Sequence, residues 1–308
     1  AMASGGAKSG RPRLPCLPAE ALAFAAGLRE LRPGVSVDVQ PLLSSGRSWA
    51  IIARRFAPCS SEAFGPLWRA RPDMQPTGII MGRMVTFPRW NQAYGFDYSF
   101  TGQVAKAKPV GDVPFFGELL RELQTVDNRL NSILVNWYDA AAGHYMGAHS
   151  DDERQLTPRA PIVSISLCSA GHSRRFRLTP KPTHKSDAYF PNSTGWRDAT
   201  AEGLVIRLRD GDLLVMGGDC QGTHKHEVLK PTGRVPGEKE GRRINLTFRS
   251  FCEGNERDGT TTAAIAAEGA PPMGEPRVIG AEDRERSRGD EGAAPRKKIK
   301  VARARSSP

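Results

Sequence analysis

Between residues 113 and 130, Phe116, Leu119, Leu120, Leu123, Val126 and Leu130 recur at three- and four-residue steps. That is the spacing of one helix face, and this stretch reads as the clearest helix of the chain. PAEALAFAAGLREL (18–31) is a shorter helix candidate, and SSEAFGPLW (60–68) offers Ser60 or Ser61 as an N-cap before a helical turn. SWAIIARRF (48–56) reads as a strand, and IIMGRMVTF (79–87) and PRWNQAYGFDYSFTG (88–102) as strands and turns. After residue 130 the pattern changes. SILVNWY, PIVSISLC, RRFRLT, GLVIRL, GDLLVMGG and RINLTFRSF are short apolar or alternating runs separated by turn residues, which is strand patterning. Helices early and many short strands later predict a mainly β fold with flanking helices, a sandwich or jelly roll.

Composition bounds this picture without changing it. The 308 residues are 39% hydrophobic and 25% charged, with 32 Gly and 24 Pro, a turn-rich globular composition. Residues 1–13 are small, polar and basic, and 180–201 reads as a long polar loop within the β region. From about 254 large apolar residues become scarce, as in a disordered tail. The expected organisation is an N-terminal extension over 1–45, one domain over 46–253, and a tail over 254–308 ending in basic residues. Cys16, Cys59, Cys168, Cys220 and Cys252 are odd in number and scattered, which argues against a disulfide framework or a cysteine zinc site and for a reducing compartment. There is no signal peptide and no apolar run long enough to span a bilayer, so no membrane partner is expected. A net charge of +11 makes nucleic acid the first partner to consider.

RINLTFR (243–249) alternates strictly: Ile244, Leu246 and Phe248 on one face, Arg243, Asn245, Thr247 and Arg249 on the other. The polar face of such a strand is either the wet side of a sheet or the lining of an interior site for an anion. Candidate chemistry elsewhere bears on that choice. In GAHSDDE (147–153), His149 and Asp151 are two apart, so on a strand they would share a side and could share a divalent metal. CQGTHKHEVLK, just after the apolar GDLLVMGG, supplies a further histidine, His224 or His226. Two imidazoles and one carboxylate suit a non-haem Fe(II) facial triad, and a zinc site uses the same residue types.

The set NWY (136–138), HSDDE (149–153), HKHEVLK and RINLTFR, in that order, closely resembles the AlkB family of Fe(II)/2-oxoglutarate dioxygenases, over roughly residues 55 to 252. PRWNQAYGFDYSFTG resembles the family's nucleotide-recognition segment. The resemblance implies a double-stranded β-helix with Fe(II) as metal and 2-oxoglutarate and O₂ as cosubstrates. It implies His149, Asp151 and His226 as metal ligands. Arg243 would pair with the distal carboxylate of 2-oxoglutarate and Arg249 would meet its metal-proximal end. These two Cα atoms are about 20 Å apart on an extended strand. Asn136, Tyr138 and Asn245 would also bind the cosubstrate.

For the substrate it implies Arg89, Tyr98, Phe100, Asp152 and Glu153, the aromatics stacking on a base and the acids favouring a cationic one such as 1-methyladenine or 3-methylcytosine. His224 stands where relatives carry a large aromatic. Arg54, Arg55, Arg89 and Lys225 are candidates to grip phosphates. The implied activity is oxidative demethylation of N-alkylated bases, in DNA rather than RNA, by a monomer, with RNA demethylation and a catalytically decayed nucleic-acid-binding module as alternatives. PRKKIKV (295–301) resembles a basic nuclear-import signal, and a nonspecific basic tail reads as well there.

Overall fold

The computed structural model describes residues 16–100, 103–189, 199–200, 203–232 and 239–252, all within one compact unit. The expected tail with its basic run at 295–301, the lead over 1–13, and the side chain of Phe100 lie outside the described residues.

Two antiparallel sheets form the body. The larger has eight strands in the order Val37–Pro41, Ser48–Ala53, Asp212–Gly218, Ile162–Cys168, Arg243–Arg249, Ser132–Tyr138, Trp90–Tyr94 and Ala107–Lys108; only the last pair is parallel. The smaller runs Met146–His149, His224–Val228, His172–Pro180, Gly203–Arg209 and Ala199–Thr200, with Lys239–Glu240 added in parallel beside His172–Pro180. This is a jelly-roll body with helices on one side, the class read from the strand pattern.

Alternation along each central strand decides what lies where. Ile244, Leu246 and Phe248 join Ile133, Val135, Trp137, Val163 and Ile165 in a core capped by helices Ala19–Leu31, Ser61–Arg69 and Pro114–Gln124, which contribute Phe24, Leu28, Trp68, Phe116 and Leu123. A second apolar cluster joins the two sheets: Ile52, Tyr138, Leu214 and Met216 from the larger, and Phe176, Leu178, Ile206 and Val228 from the smaller. The other face of Arg243–Arg249 therefore points between the sheets. All seven residues of that strand are buried, so its polar face is not the wet side of the sheet.

The helix Ala19–Leu31 and strand Val37–Pro41 share this body: Phe24 packs on Trp49 with ring centroids 6.5 Å apart, and Val37–Pro41 pairs in register with Ser48–Ala53. Ser60 caps its helix, accepting from the Ala63 amide at 3.2 Å.

Three local expectations change. The helix read over 113–130 ends at Gln124, although Leu130 is fully buried. Local side-chain bonds take over there: Thr125 Oγ1 donates to Glu122 O, and Asp127 Oδ1 accepts from both the amide and Nε of Arg129, offering the backbone an alternative to another helical turn. The strand expected to carry both His149 and Asp151 stops at His149. The loop 180–201 contains a 3-10 turn, Pro182–Asp187, tied to the start of the body by a Ser44 Oγ–Asp187 bond and by Tyr189 N donating to Leu42 O; residues 190–198 lie outside the described set. No helix among the described residues is long and apolar enough to cross a membrane, and all five cysteines are free.

Candidate active site

His226 occupies a strand whose residues 224, 226 and 228 turn inward and 225 and 227 outward. His149 ends the neighbouring strand and is its Cα partner across the ladder. The two rings lie 4.2 Å apart between centroids, and Phe176 stacks on His226 at 5.6 Å. Asp151 lies beyond the strand end, held there because its amide donates to Gln221 Oε1 at 3.0 Å and Ser150 Oγ donates to His224 O at 2.9 Å. Its Oδ1 is 3.5 Å from His149 Nε2 and 3.8 Å from His226 Nε2, and the three ligand atoms lie within 4.8 Å of one another.

Protonation states favour a metal. His149 Nδ1 is 2.8 Å from Gly147 O, which can only accept, so Nδ1 carries a proton and Nε2 is the ring nitrogen turned to Asp151. Burial first, and then the neighbouring His149, push His226 down to about 3, leaving it neutral. Burial would raise the Asp151 carboxyl, but the Arg249 guanidinium bonded to it holds it well below the usual carboxylate range. Two imidazoles and an ionised carboxylate are the donor set a divalent transition metal takes. His224 stays out of this group. Its Nδ1 bonds Thr223 Oγ1 at 2.8 Å, and burial, then His184 and Lys181, hold it down to about 4.

The polar face of Arg243–Arg249 lines the same small cavity as the three metal-type residues. Register explains the convergence: Arg243 lies opposite Tyr138 and Asn245 opposite Asn136 on one side, with Ser166 opposite Asn245 on the other. Arg249 donates to Asp151 Oδ2 through Nη2 at 2.5 Å and Nε at 3.1 Å, and its Nη1 is buried without a partner. Arg243 donates to Ser166 Oγ and, at 2.6 Å, to Asn245 Oδ1. Among the described residues no carboxylate pairs with Arg243, although it is only 1% exposed. A buried guanidinium without an acid is costly, so this end of the cavity fits a ligand carboxylate. The Tyr138 hydroxyl has no partner among the described residues and can serve the same ligand.

A larger cleft of about 740 Å³ adjoins, sharing Asp151, Met216 and Arg249 with the small cavity and lined also by Asp152, Glu153, Arg154 and Arg159. Glu153 accepts from the Tyr98 hydroxyl at 2.6 Å and has its other oxygen buried without a partner; burial, then the charge of Asp151, raise its pKa. Tyr98 also lies under Arg249, with the guanidinium carbon 4.7 Å from the ring centre. Asp152 is exposed and 4.0 Å from Lys181 Nζ. Arg89 is buried and donates to Asn136 Oδ1 at 3.1 Å, and Arg54 binds Asp212 at 2.5 Å, so neither is placed as a free surface grip for phosphate.

Ser164 and Ser166 line this interior and were not singled out from the sequence. Their signal was present in IVSISLC, where serines alternate with Val163, Ile165 and Leu167 as the polar residues of RINLTFR alternate with its apolar ones.

The family model of the 2OG-Fe(II) oxygenase superfamily matches residues 66–249. The protein named DNA oxidative demethylase ALKBH2 from Arabidopsis thaliana is 31% identical over 214 residues, which cover 65% of this chain and 65% of that protein. The Mus musculus protein of the same name is 32% identical over 177 residues, covering 56% of this chain and 65% of its own. The match thus spans just under two thirds of these relatives' length. A solved structure of OsALKBH1 aligns with a TM-score of 0.41 and 16% identity over 65% of this chain and 97% of that one.

Proposed function

Because the chain belongs to the 2OG-Fe(II) oxygenase superfamily, and within it to the AlkB family, we propose that it oxidatively removes N-methyl groups from cationic bases such as 1-methyladenine and 3-methylcytosine in DNA. The carrying observation is the cavity that joins His149, Asp151 and His226 to a buried Arg243 with no acid of its own among the described residues.

In this reading His149, Asp151 and His226 hold Fe(II), Arg243 with Tyr138 and Asn245 holds the distal carboxylate of 2-oxoglutarate, and Arg249 and Asn136 serve its metal-proximal end. When bound, iron with 2-oxoglutarate and O₂ would supply the oxidation, 2-oxoglutarate losing CO₂, with one oxygen atom going to succinate and the other to the methyl carbon. The resulting N-hydroxymethyl group would leave as formaldehyde: the N–C bond breaks with its electron pair returning to the ring nitrogen, which loses its positive charge, and the hydroxyl proton passes to solvent. The chain's own residues orient and exclude. Arg249 keeps Asp151 ionised and fixed by a bond to Oδ2, which leaves Oδ1 turned to the histidines. Glu153, held by Tyr98, offers a half-buried carboxyl at the mouth where a cationic base would sit. The cleft, at about 740 Å³, has the volume of a small-molecule site and accepts a base only when that base is flipped or single-stranded.

DNA as substrate is supported by the activity for which the relatives are named, by the +11 charge and by an exposed apolar hairpin. Strands Thr77–Ile80 and Arg83–Thr86 turn through Met81 and Gly82, both at positive φ, and Met81 is 98% exposed, with Ile79 and Met84 also exposed. A non-glycine residue held in that strained region, at an apolar tip beside Arg83, suits a wedge against base steps. The nuclear address at 295–301 and a monomeric state belong to the same proposal.

The test is mass spectrometry of 1-methyladenine and 3-methylcytosine oligonucleotides after incubation with protein, Fe(II) and 2-oxoglutarate, as single-stranded DNA, duplex DNA and RNA. Loss of one methyl group with formaldehyde release from DNA, dependent on each component, is expected. Turnover of RNA alone would reassign the substrate, and no turnover of any would overturn the enzymatic reading.

A further inference from the structure

The strand His172–Pro180 turns Arg174, Phe176 and Leu178 inward. Phe176 and Leu178 belong to the apolar cluster between the sheets, so Arg174 is an arginine at a core position, 1% exposed. Its Nη2 donates to two neutral carbonyls, His144 O at 2.6 Å and Leu229 O at 3.2 Å. Its Nε and Nη1 are buried with no partner. No described carboxylate pairs with it; Glu240, the acid that acts on it electrostatically, is committed to Arg175 and to the Thr232 amide. Burial, and then the charge of Arg243, push its pKa down to about 10.

Arg174 and Arg243 lie against the same ring: their guanidinium carbons are 5.8 and 5.6 Å from the centre of Tyr138. Two buried guanidiniums flank one tyrosine, and among the described residues neither has an acid. Like charges brought together out of water call for a shared anion. Arg243 and Tyr138 line the cavity; Arg174 does not, so it acts on a ligand through the Tyr138 ring and through its field.

We propose that Arg174 is a positioning and specificity residue for the keto acid: it fixes Tyr138 and adds a second positive charge behind Arg243, so that this end of the cavity selects a dicarboxylate over a keto acid lacking the distal carboxylate. This rests on the 2-oxoglutarate reading above. A purely structural Arg174, tying the carbonyls of His144 and Leu229, would affect both kinds of keto acid alike.

The experiment is calorimetric titration of Mn(II)-loaded protein with 2-oxoglutarate and with 2-oxovalerate, which carries a methyl group in place of the distal carboxylate. Arg174→Met is expected to weaken 2-oxoglutarate about tenfold, on the order of one lost charge interaction at an effective interior dielectric, and to leave 2-oxovalerate within about twofold. Arg174→Lys, which keeps the charge, should retain most of the discrimination, and it carries the comparison by itself against Arg174→Gln if the methionine variant fails to fold. Equal weakening of both keto acids, or unchanged 2-oxoglutarate affinity in a folded variant, overturns the proposal. Failure of the unmodified protein to bind either keto acid overturns instead the dioxygenase reading on which it stands.

Discussion

Arg249 binds a single oxygen of Asp151, Oδ2, through two nitrogens, and the other oxygen, Oδ1, is the one that faces both His149 and His226. One carboxylate therefore serves a guanidinium and a metal-type site at once. Removing it harms both. Asp151→Ala should abolish Mn(II) binding in a metal titration and all demethylation. It should also cost roughly 3–5 kcal/mol in urea unfolding, because Arg249 is left buried without its acid. Full activity in this variant would refute the metal assignment.

Gly217 lies opposite Trp49 in the ladder, and a Cβ placed on it would stand 2.1 Å from the indole Cζ2. Trp49 is fully buried and has nowhere to move. Gly217→Ala should destabilise the protein by about 1–3 kcal/mol, the usual cost of overpacking, read from the urea midpoint. Gly111→Ala, whose Cβ would meet nothing within 4 Å, is the matched control and should change little.

His144 gives the fold a pH dependence of known sign. Its Nδ1 accepts from the Asp139 amide at 3.2 Å, so the buried ring is neutral, and burial holds its pKa below the ordinary 6.5. Above pH 6.5 neither the folded nor the unfolded imidazole is protonated and the bond is intact. As pH falls below 6.5 the unfolded chain takes up a proton that the folded one resists, so stability is lost progressively down through the folded pKa. His144→Gln should show a shallower fall in urea midpoint between pH 7 and 5 than the unmodified protein.

The exposed hairpin tip offers a test that tells action on duplex from action on single-stranded substrate. Met81→Ser removes the most exposed large apolar side chain among the described residues while leaving the body untouched. Initial rates on a methylated duplex should fall several-fold, with rates on the matching single strand nearly unchanged, because only the duplex must be opened to extrude its base. Equal losses on both strands would show that the tip does not act on pairing.

Alternation carried most of what could be read in advance. A period of two in SILVNWY, PIVSISLC and RINLTFR placed three strands at or within a residue of their observed bounds, and the three-and-four spacing from Phe116 to Leu123 placed a helix. It failed where local chemistry overrode it. Thr125 and Asp127 end the helix although Leu130 keeps the apolar step, and Asp151 leaves the strand because Gln221, distant in sequence, holds its amide.

The site divides in the same way. Sequence order and residue type suffice to nominate an imidazole–carboxylate–imidazole trio and a pair of arginines on one strand face, because side-chain direction follows from backbone period. Which histidine of 224 and 226 joins the trio cannot be read from that period, since both face inward; Thr223 and the pairing of His226 with His149 decide it. Whether the polar face of RINLTFR is wet or buried also escapes the strand itself, because it depends on a second sheet laid across it. Arg174 shows the same limit: in RRFRLT it is one arginine among three, and only packing between the sheets makes it a buried charge with no acid among the described residues. Periodicity is local and the chain states it alone; burial and counter-charge are set by segments that meet only when the sheets close.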